Sequence, residues 1–334
     1  MRRLADLPVP GIPRREDWVP PPRFGTVRFA DYRPAHPSQA EALAIAQAFA
    51  HPPARPRRWP WRRSGPTGAT GLYLDGGFGV GKTHLLAAVW HASLEPRKAY
   101  LSFAELVAAI GTRGMPRALE ALGHERLYCI DEFELDDPGN TLIVKTFLAH
   151  AFARGARVLT TSNTAPNAQG EGRFDAASFR REIQSIAAHF TTVRIDGPDH
   201  RFADRDRGLL SATVVAAAPH DAVHASWGEL HQALAGIHPV RYGAWGRAAG
   251  AFVVTAAEPI PDQQRALRWV HFVDKLYDQR VPLWLAGEVA LADLFDPHYA
   301  AGAYAKKHDR CRSRLGEMLA EAEARSGAGR ATSA

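Results

Sequence analysis

Residues 72–86 read LYLDGGFGVGKTHLL. An apolar run passes into Gly76-Gly77-Phe78-Gly79-Val80-Gly81, and Lys82, Thr83 and His84 follow. The spacing is that of the G-x-x-x-x-G-K-[ST] loop. A chain that wraps a phosphate must aim successive backbone N–H groups inward, and glycines tolerate the positive φ and the close approach this needs. A helix starting at Lys82 adds the positive end of its dipole. In this pattern Lys82 reaches the β- and γ-phosphates, and the Thr83 hydroxyl serves Mg²⁺. The apolar strand before the loop and the amphipathic stretch after it distinguish it from an ordinary glycine-rich turn.

Two further strand ends point to the same chemistry. Residues 125–133, ERLYCIDEF, form an apolar run ending in Asp131 and Glu132. An acid at the carboxyl end of a neighbouring strand holds the Mg²⁺ shell, and the adjacent Glu132 is placed to polarise a water, which predicts hydrolysis. Residues 158–163, VLTTSN, end in hydroxyls and an amide. Asn163 at that tip is a candidate sensor of the γ-phosphate or of the attacking water.

Around these motifs the chain alternates strand and helix. Strands are predicted at 72–74, 99–103, 127–130, 158–161 and 192–195, and helices at 82–93, 103–110, 141–153 and 178–189. This alternation predicts an α/β fold with a parallel sheet flanked by helices. Upstream, residues 1–36 read as an extended arm. A helix is predicted over 37–49, with Ser38 as N-cap and Glu41 closing a capping box. Residues 51–68, HPPARPRRWPWRRSGPTG, read as a basic, proline-broken loop. Its Trp59 and Trp61 are open to two readings, a solvated loop or a contact for RNA or lipid headgroups. Downstream, 211–218 and 251–259 read as strand-like, 227–246 as loop-rich, 263–277 as helix, 281–288 as strand, 304–324 as helix and 326–334 as a disordered tail. The predicted organisation is an N-terminal region over 1–65, a nucleotide-binding core over 66–200, a smaller mixed α/β region over 201–325, and the tail.

Composition bounds the rest. The chain has 334 residues, of which 46% are hydrophobic and 23% charged, with a net charge of +6. Those fractions suit a globular protein with a sizeable core. Arginine and alanine are abundant throughout, so the positive charge reads as a compositional bias and not as one binding face. The two cysteines, Cys129 and Cys311, have no metal-type spacing and make no disulfide framework, which suits a reducing compartment. No apolar run approaches the ~20 residues that span a bilayer, and the N-terminus lacks a secretory core.

The three strand ends together resemble an AAA+ P-loop ATPase. Residues 127–167, LYCIDEFELDDPGNTLIVKTFLAHAFARGARVLTTSNTAPN, resemble the ZapE-type family of cell-division ATPases, relatives of the mitochondrial AFG-type ATPases. The runs FRREIQSIAAHFTTVRIDGPDHR, FVDKLYDQRVPLWLAGE and RCRSRLGEM are similar to further family segments, so that the likeness spans residues 37–318. It implies an oligomeric ATPase that hydrolyses Mg-ATP and acts on a protein partner such as a division-ring component. Gly76–Thr83 and His84 would then hold the nucleotide, Thr83 and Asp131 the metal, Glu132 the water, and Asn163 the first sensor. A cytoplasmic protein, peripheral at a division site or membrane, is the corresponding location. The rival reading is a nucleic-acid-stimulated ATPase of helicase-loader type.

A ring ATPase also takes an arginine from its neighbour. Residues 172–175, GRFD, resemble the segment that carries it in other AAA+ proteins, which selects Arg173. Many relatives place an arginine two or three residues before the phenylalanine matching Phe179, where this chain has Ala176 and Ala177. Arg180 and Arg181 are alternatives, or a solvated helix face. Arg201, Arg310 and Arg314 lie in family-like motifs, where either one contacts the phosphates or all make structural ion pairs.

Overall fold

The computed structural model describes residues 2–11, 13–52, 71–135, 137–165, 177–197, 208–300, 302 and 304–331. The chain divides into two compact units. One comprises Pro13–Pro20 with Phe24–His200, the other Met1–Ile12 and Pro21–Arg23 with Arg201–Ala334. The first strand, β1 (Arg2–Arg3), belongs to the second of these units.

The unit carrying the glycine loop contains α1 (Pro37–Ala50), β2 (Gly71–Gly76), α2 (Lys82–Ala92), β3 (Lys98–Ser102), α3 (Phe103–Arg113), α4 (Met115–Leu122), β4 (Leu127–Asp131), α5 (Pro138–Ala153), β5 (Arg157–Ser162), α6 (Ala177–Ala187) and β6 (Phe190–Ile195). Its five strands lie in the order β3-β4-β5-β2-β6, every neighbouring pair parallel. Side chains alternate across a strand. Accordingly Leu127 and Cys129 of β4 join α1 and α2 in one core, while Tyr128 and Ile130 join α3, α5 and α6 in the other. With helices on both faces, the strands read as near-continuous apolar runs. The order also places a topological switch between β2 and β5, whose following helices leave on opposite faces. Ligands in open parallel sheets bind outside the carboxyl ends at such a point.

The register sets the functional tips level with one another. Leu74 of β2 pairs with Thr161 and Asp75 with Ser162, while Ser102 of β3 pairs with Asp131. Helix α5 is capped by Asp137, whose side chain accepts the Asn140 N–H at 2.7 Å. Helix α1 differs from its predicted start. Pro37 takes the first helical position and His36 is the N-cap. Ser38 Oγ accepts instead from the Asp196 N–H, at 2.9 Å. A proline at that position needs no N–H partner, so the cap moves two residues upstream.

The second unit has its own parallel sheet, in the order β1-β7-β8-β9, from β7 (Val223–Ser226), β8 (Phe252–Ala257) and β9 (Leu283–Gly287). Its helices are α7 (Ala212–Val215), α8 (Trp227–Gly236), α9 (Tyr242–Ala249), α10 (Gln263–Asp278), α11 (Pro297–Ala300) and α12 (Ala305–Ala331). Trp245, Phe252, Trp269, Phe272, Trp284 and Leu315 are in its core.

Three predicted elements differ here. Residues 211–218 do not extend; Ser211 caps α7 by accepting the Val214 N–H, and that local bond outweighs the β-branched pair Val214-Val215. The stretch 227–246 is two helices and a 3₁₀ turn instead of loop. The Ser226–Glu229 capping box before Leu230 is the signal for the first of them. The tail is helical to Ala331. Ser326 is buried, accepting from Trp284 Nε1 at 3.1 Å and donating to Val214 O at 3.2 Å. The two cysteines are buried, unbonded thiols. Among the described residues no helix is long and apolar enough to cross a membrane.

Candidate active site

Strand β2 delivers the chain to Gly76 at the sheet's carboxyl edge, and α2 starts at Lys82. Between them Gly79 has φ 71° and Gly81 φ 89°, the left-handed values that favour glycine. The turn therefore folds tightly enough for α2 to begin with its first N–H groups facing the loop. A side chain at Gly76 would meet Ile195 O at 2.1 Å.

Lys82 is buried, and its Nζ donates to Gly76 O at 2.8 Å, to Gly77 O, and to Asn163 Oδ1 at 2.9 Å. This joins the loop to the tip of β5. Tyr73, on β2, anchors the same tip by donating to Thr164 O at 2.8 Å. Thr83 Oγ1 donates to Asp131 Oδ1 at 3.3 Å, which joins the start of α2 to the tip of β4. Four of the sequence-predicted residues, Lys82, Thr83, Asp131 and Asn163, thus share one hydrogen-bonded cluster over three adjacent strand ends. Glu132 follows Asp131 with φ 55°, a left-handed conformation uncommon outside glycine. In the arc of the loop Gly77 is exposed and Phe78 half-buried, and Val80 is buried. His84 Nε2 meets Arg28 O at 3.0 Å.

Sequence reasoning assigned no part in the site to three residues that the fold places there. Tyr100 on β3 donates to Asp131 Oδ2 at 3.3 Å. Thr161 on β5 donates to Asp131 Oδ1 and accepts the Glu132 N–H at 3.0 Å. Tyr32, from the segment before α1, donates to Val80 O at 2.8 Å. Its ring lies so close to Gly81 that an added Cβ would sit 2.4 Å from Tyr32 Cε2. Burial pushes the Tyr32 phenol up to about 12, so it stays protonated, and a donor, at neutral pH. Thr161 belongs to the same TTSN tip as Asn163, so a signal for it was present. Tyr32 and Tyr100 carry none, because their contacts are with residues far along the chain. Arg173 and Arg201 lie outside the described residues, as does the WPWRR loop. Arg310 and Arg314 both pair with Asp274, at 2.6 and 2.5 Å.

The cluster fits a magnesium-bound nucleotide on the chemistry of its donors. The loop supplies backbone N–H groups and an ammonium for phosphate oxygens. Thr83 Oγ1 and Asp131 Oδ1 are two hard oxygens in contact, and Mg²⁺ is held by one or two protein oxygens together with the substrate phosphates. Gly81→Ala tests the cradle. A Cβ there meets Tyr32 and forces a side chain into the left-handed region, so nucleotide affinity should fall at least tenfold by calorimetry, each 1.4 kcal/mol of strain being a factor of about ten. Unchanged affinity would mean that the loop binds nucleotide in another conformation.

The AFG1-like ATPase family profile matches residues 14–237 and 220–326. The chain is 24% identical over 305 residues to the cell division protein ZapE of Escherichia coli (strain K12), spanning 76% of this chain and 79% of that one. The same values hold for ZapE of Escherichia coli O157:H7. Among solved structures, DnaI is similar with a TM-score of 0.42 and 18% identity, over 56% of this chain and 99% of that one. Domain III of the Thermotoga maritima replication initiation protein DnaA is similar with a TM-score of 0.40 and 17% identity, over 53% of this chain and 69% of that one.

Proposed function

Because the chain belongs to the AFG1-like ATPase family, and is therefore an ATPase, we propose that it hydrolyses Mg-ATP at the cluster above and, as a homo-oligomer, turns that hydrolysis into work on a protein partner. The observation that carries this reading is the closed contact of Lys82 with Asn163 and of Thr83 with Asp131. The ammonium proposed for the phosphates reaches the proposed γ-phosphate sensor, and the two oxygens proposed for the metal reach each other.

Mg-ATP, when bound, supplies the anhydride bond to be cleaved and a cation that draws charge from the phosphate oxygens. The chain supplies the rest. Backbone N–H groups from Gly77 to Thr83 and the Lys82 ammonium bind the phosphates, and His84 flanks them at the start of α2. Thr83 and Asp131 hold the metal. The Glu132 carboxylate accepts the proton of the attacking water, and Asn163 orients that water or reports on the γ-phosphate. Arg173 of a neighbouring copy is the proposed trans-acting charge. Similarity to a cell division protein supports a division-ring component as the partner and the cytoplasmic face of the division site as the location.

The test is turnover per subunit measured against protein concentration, with and without single-stranded DNA. An oligomeric, protein-directed ATPase gains activity per subunit as concentration rises and is indifferent to DNA. Constant activity per subunit would refute the shared site. Stimulation by DNA that falls steeply with salt would replace the protein partner by nucleic acid.

A further inference from the structure

Strand β5 offers more to the acidic tip than a sheet neighbour does. Thr161 meets three consecutive residues, the last of β4 and the two that follow it. Its Oγ1 donates to Asp131 Oδ1 and accepts the Glu132 N–H at 3.0 Å, and its carbonyl accepts the Phe133 N–H at 2.7 Å. The residue is buried, so these bonds form away from competing water. Glu132 between them sits at φ 55°, a strained conformation for a non-glycine residue that persists only where its surroundings impose it. The bonds to Thr161 on either side are what impose it.

The hydroxyl's two roles are chemically distinct. As donor it occupies one lone pair of the Asp131 oxygen that also accepts from Thr83 Oγ1, which orients that carboxylate. As acceptor it holds the Glu132 backbone, and so the direction in which the Glu132 side chain leaves the strand. A methyl group can do neither, whereas a serine can do both.

We propose that Thr161 is a positioning residue for hydrolysis, setting the metal-side carboxylate of Asp131 and the base Glu132 at once from the strand that also carries Asn163. The inference rests on the roles proposed above for Asp131 and Glu132. It also gives the β5 tip a mechanical meaning. Lys82 binds Asn163, and two residues earlier Thr161 binds Asp131, so a shift of this one strand end moves the sensor and the acids together.

Thr161→Val, Thr161→Ser and Glu132→Gln, assayed side by side, test it. The readouts are affinity for a fluorescent ATP analogue, kcat, KM, the Mg²⁺ concentration for half-maximal activity, and Tm. Thr161→Val should bind nucleotide within about twofold of the unaltered protein. Its kcat should fall about 10- to 100-fold, the usual consequence of losing an outer partner of a metal ligand, and its Mg²⁺ requirement should rise. Thr161→Ser should recover most of both. Wild-type kcat and Mg²⁺ response in Thr161→Val, beside an inactive Glu132→Gln, would overturn the positioning role alone. Equal losses in the valine and serine variants, or a valine loss explained by a collapsed Tm without serine rescue, would overturn it as well. Full turnover in Glu132→Gln would instead remove the reading on which it rests.

Discussion

Replacing Glu132 by glutamine is expected to leave ATP bound and to cut turnover by about 10²- to 10⁴-fold, the range that a positioned general base contributes. Glutamine keeps the size and polarity of the side chain but cannot take a proton at neutral pH. The surrounding bonds should survive the change. The Glu132 N–H still reaches Thr161 Oγ1 at 3.0 Å and Asp131 Oδ1 at 3.2 Å, because both contacts use the backbone. Lys82, with its bonds to Gly76, Gly77 and Asn163, is untouched. Binding is read by calorimetry with Mg-ATP and turnover by phosphate release. A variant that turns over normally would exclude Glu132 as the base. A variant that fails to bind would mean that its carboxylate holds the nucleotide and does not activate the water. With ATP retained and chemistry stopped, the same variant should also hold its partner long enough for crosslinking and recovery, separating a division-ring protein from a nucleic acid.

The second large effect is on stability. Asp274 of α10 is buried and pairs with Arg310 and Arg314, one turn apart on α12 and also buried. Burial alone would raise the Asp274 carboxyl. The two guanidiniums overrule it and hold the group well below the usual carboxylate range. Asp274→Ala removes the carboxylate that pairs with two buried guanidiniums. Breaking a buried pair in this way costs about 3–5 kcal/mol, a fall in Tm on the order of 10 °C. Asp274→Asn should lose nearly as much, since it keeps the shape but not the charge. Core Trp269 and Trp284 give the fluorescence signal. An unchanged transition in both variants would show that the arginines need no anion. The pH dependence has a definite sign. A carboxyl whose pKa is depressed in the folded state contributes stability that is fully present above the unfolded value near 3.9 and is lost as pH falls through the folded value. The wild-type advantage over Asp274→Ala should therefore be complete at neutral pH and shrink in acid.

The glycine loop was legible because its physics is local. Gly79 and Gly81 supply the positive φ, Lys82 the charge and Thr83 the hydroxyl, all within a few bonds. The five strands of its sheet were legible for a similar reason. A strand covered on both faces is an apolar run, and 127–130 or 158–161 need no partner to be read as one. Asp131 and Asn163 stood out as polar residues ending such runs. The misread segments are those where a short-range bond opposed composition. Ser211 turned a valine-rich stretch into α7, and the Ser226–Glu229 box started a helix in a stretch rich in glycine.

By itself, then, the amino-acid order determined the class of fold and marked out the glycine loop and the acidic strand end, since each follows from residues adjacent in the chain. Tertiary structure alone decided which distant groups complete them. The parallel register of β4 and β5 brought Thr161 onto Asp131 and Glu132, the turn before α1 laid Tyr32 on the glycine loop, and the packing of α10 against α12 settled Arg310 and Arg314 on Asp274. The reason is one of range. Torsional preference and strand periodicity act over a few residues, whereas a hydrogen bond between strand tips or a buried ion pair exists only after the sheet has set the register and the core has closed.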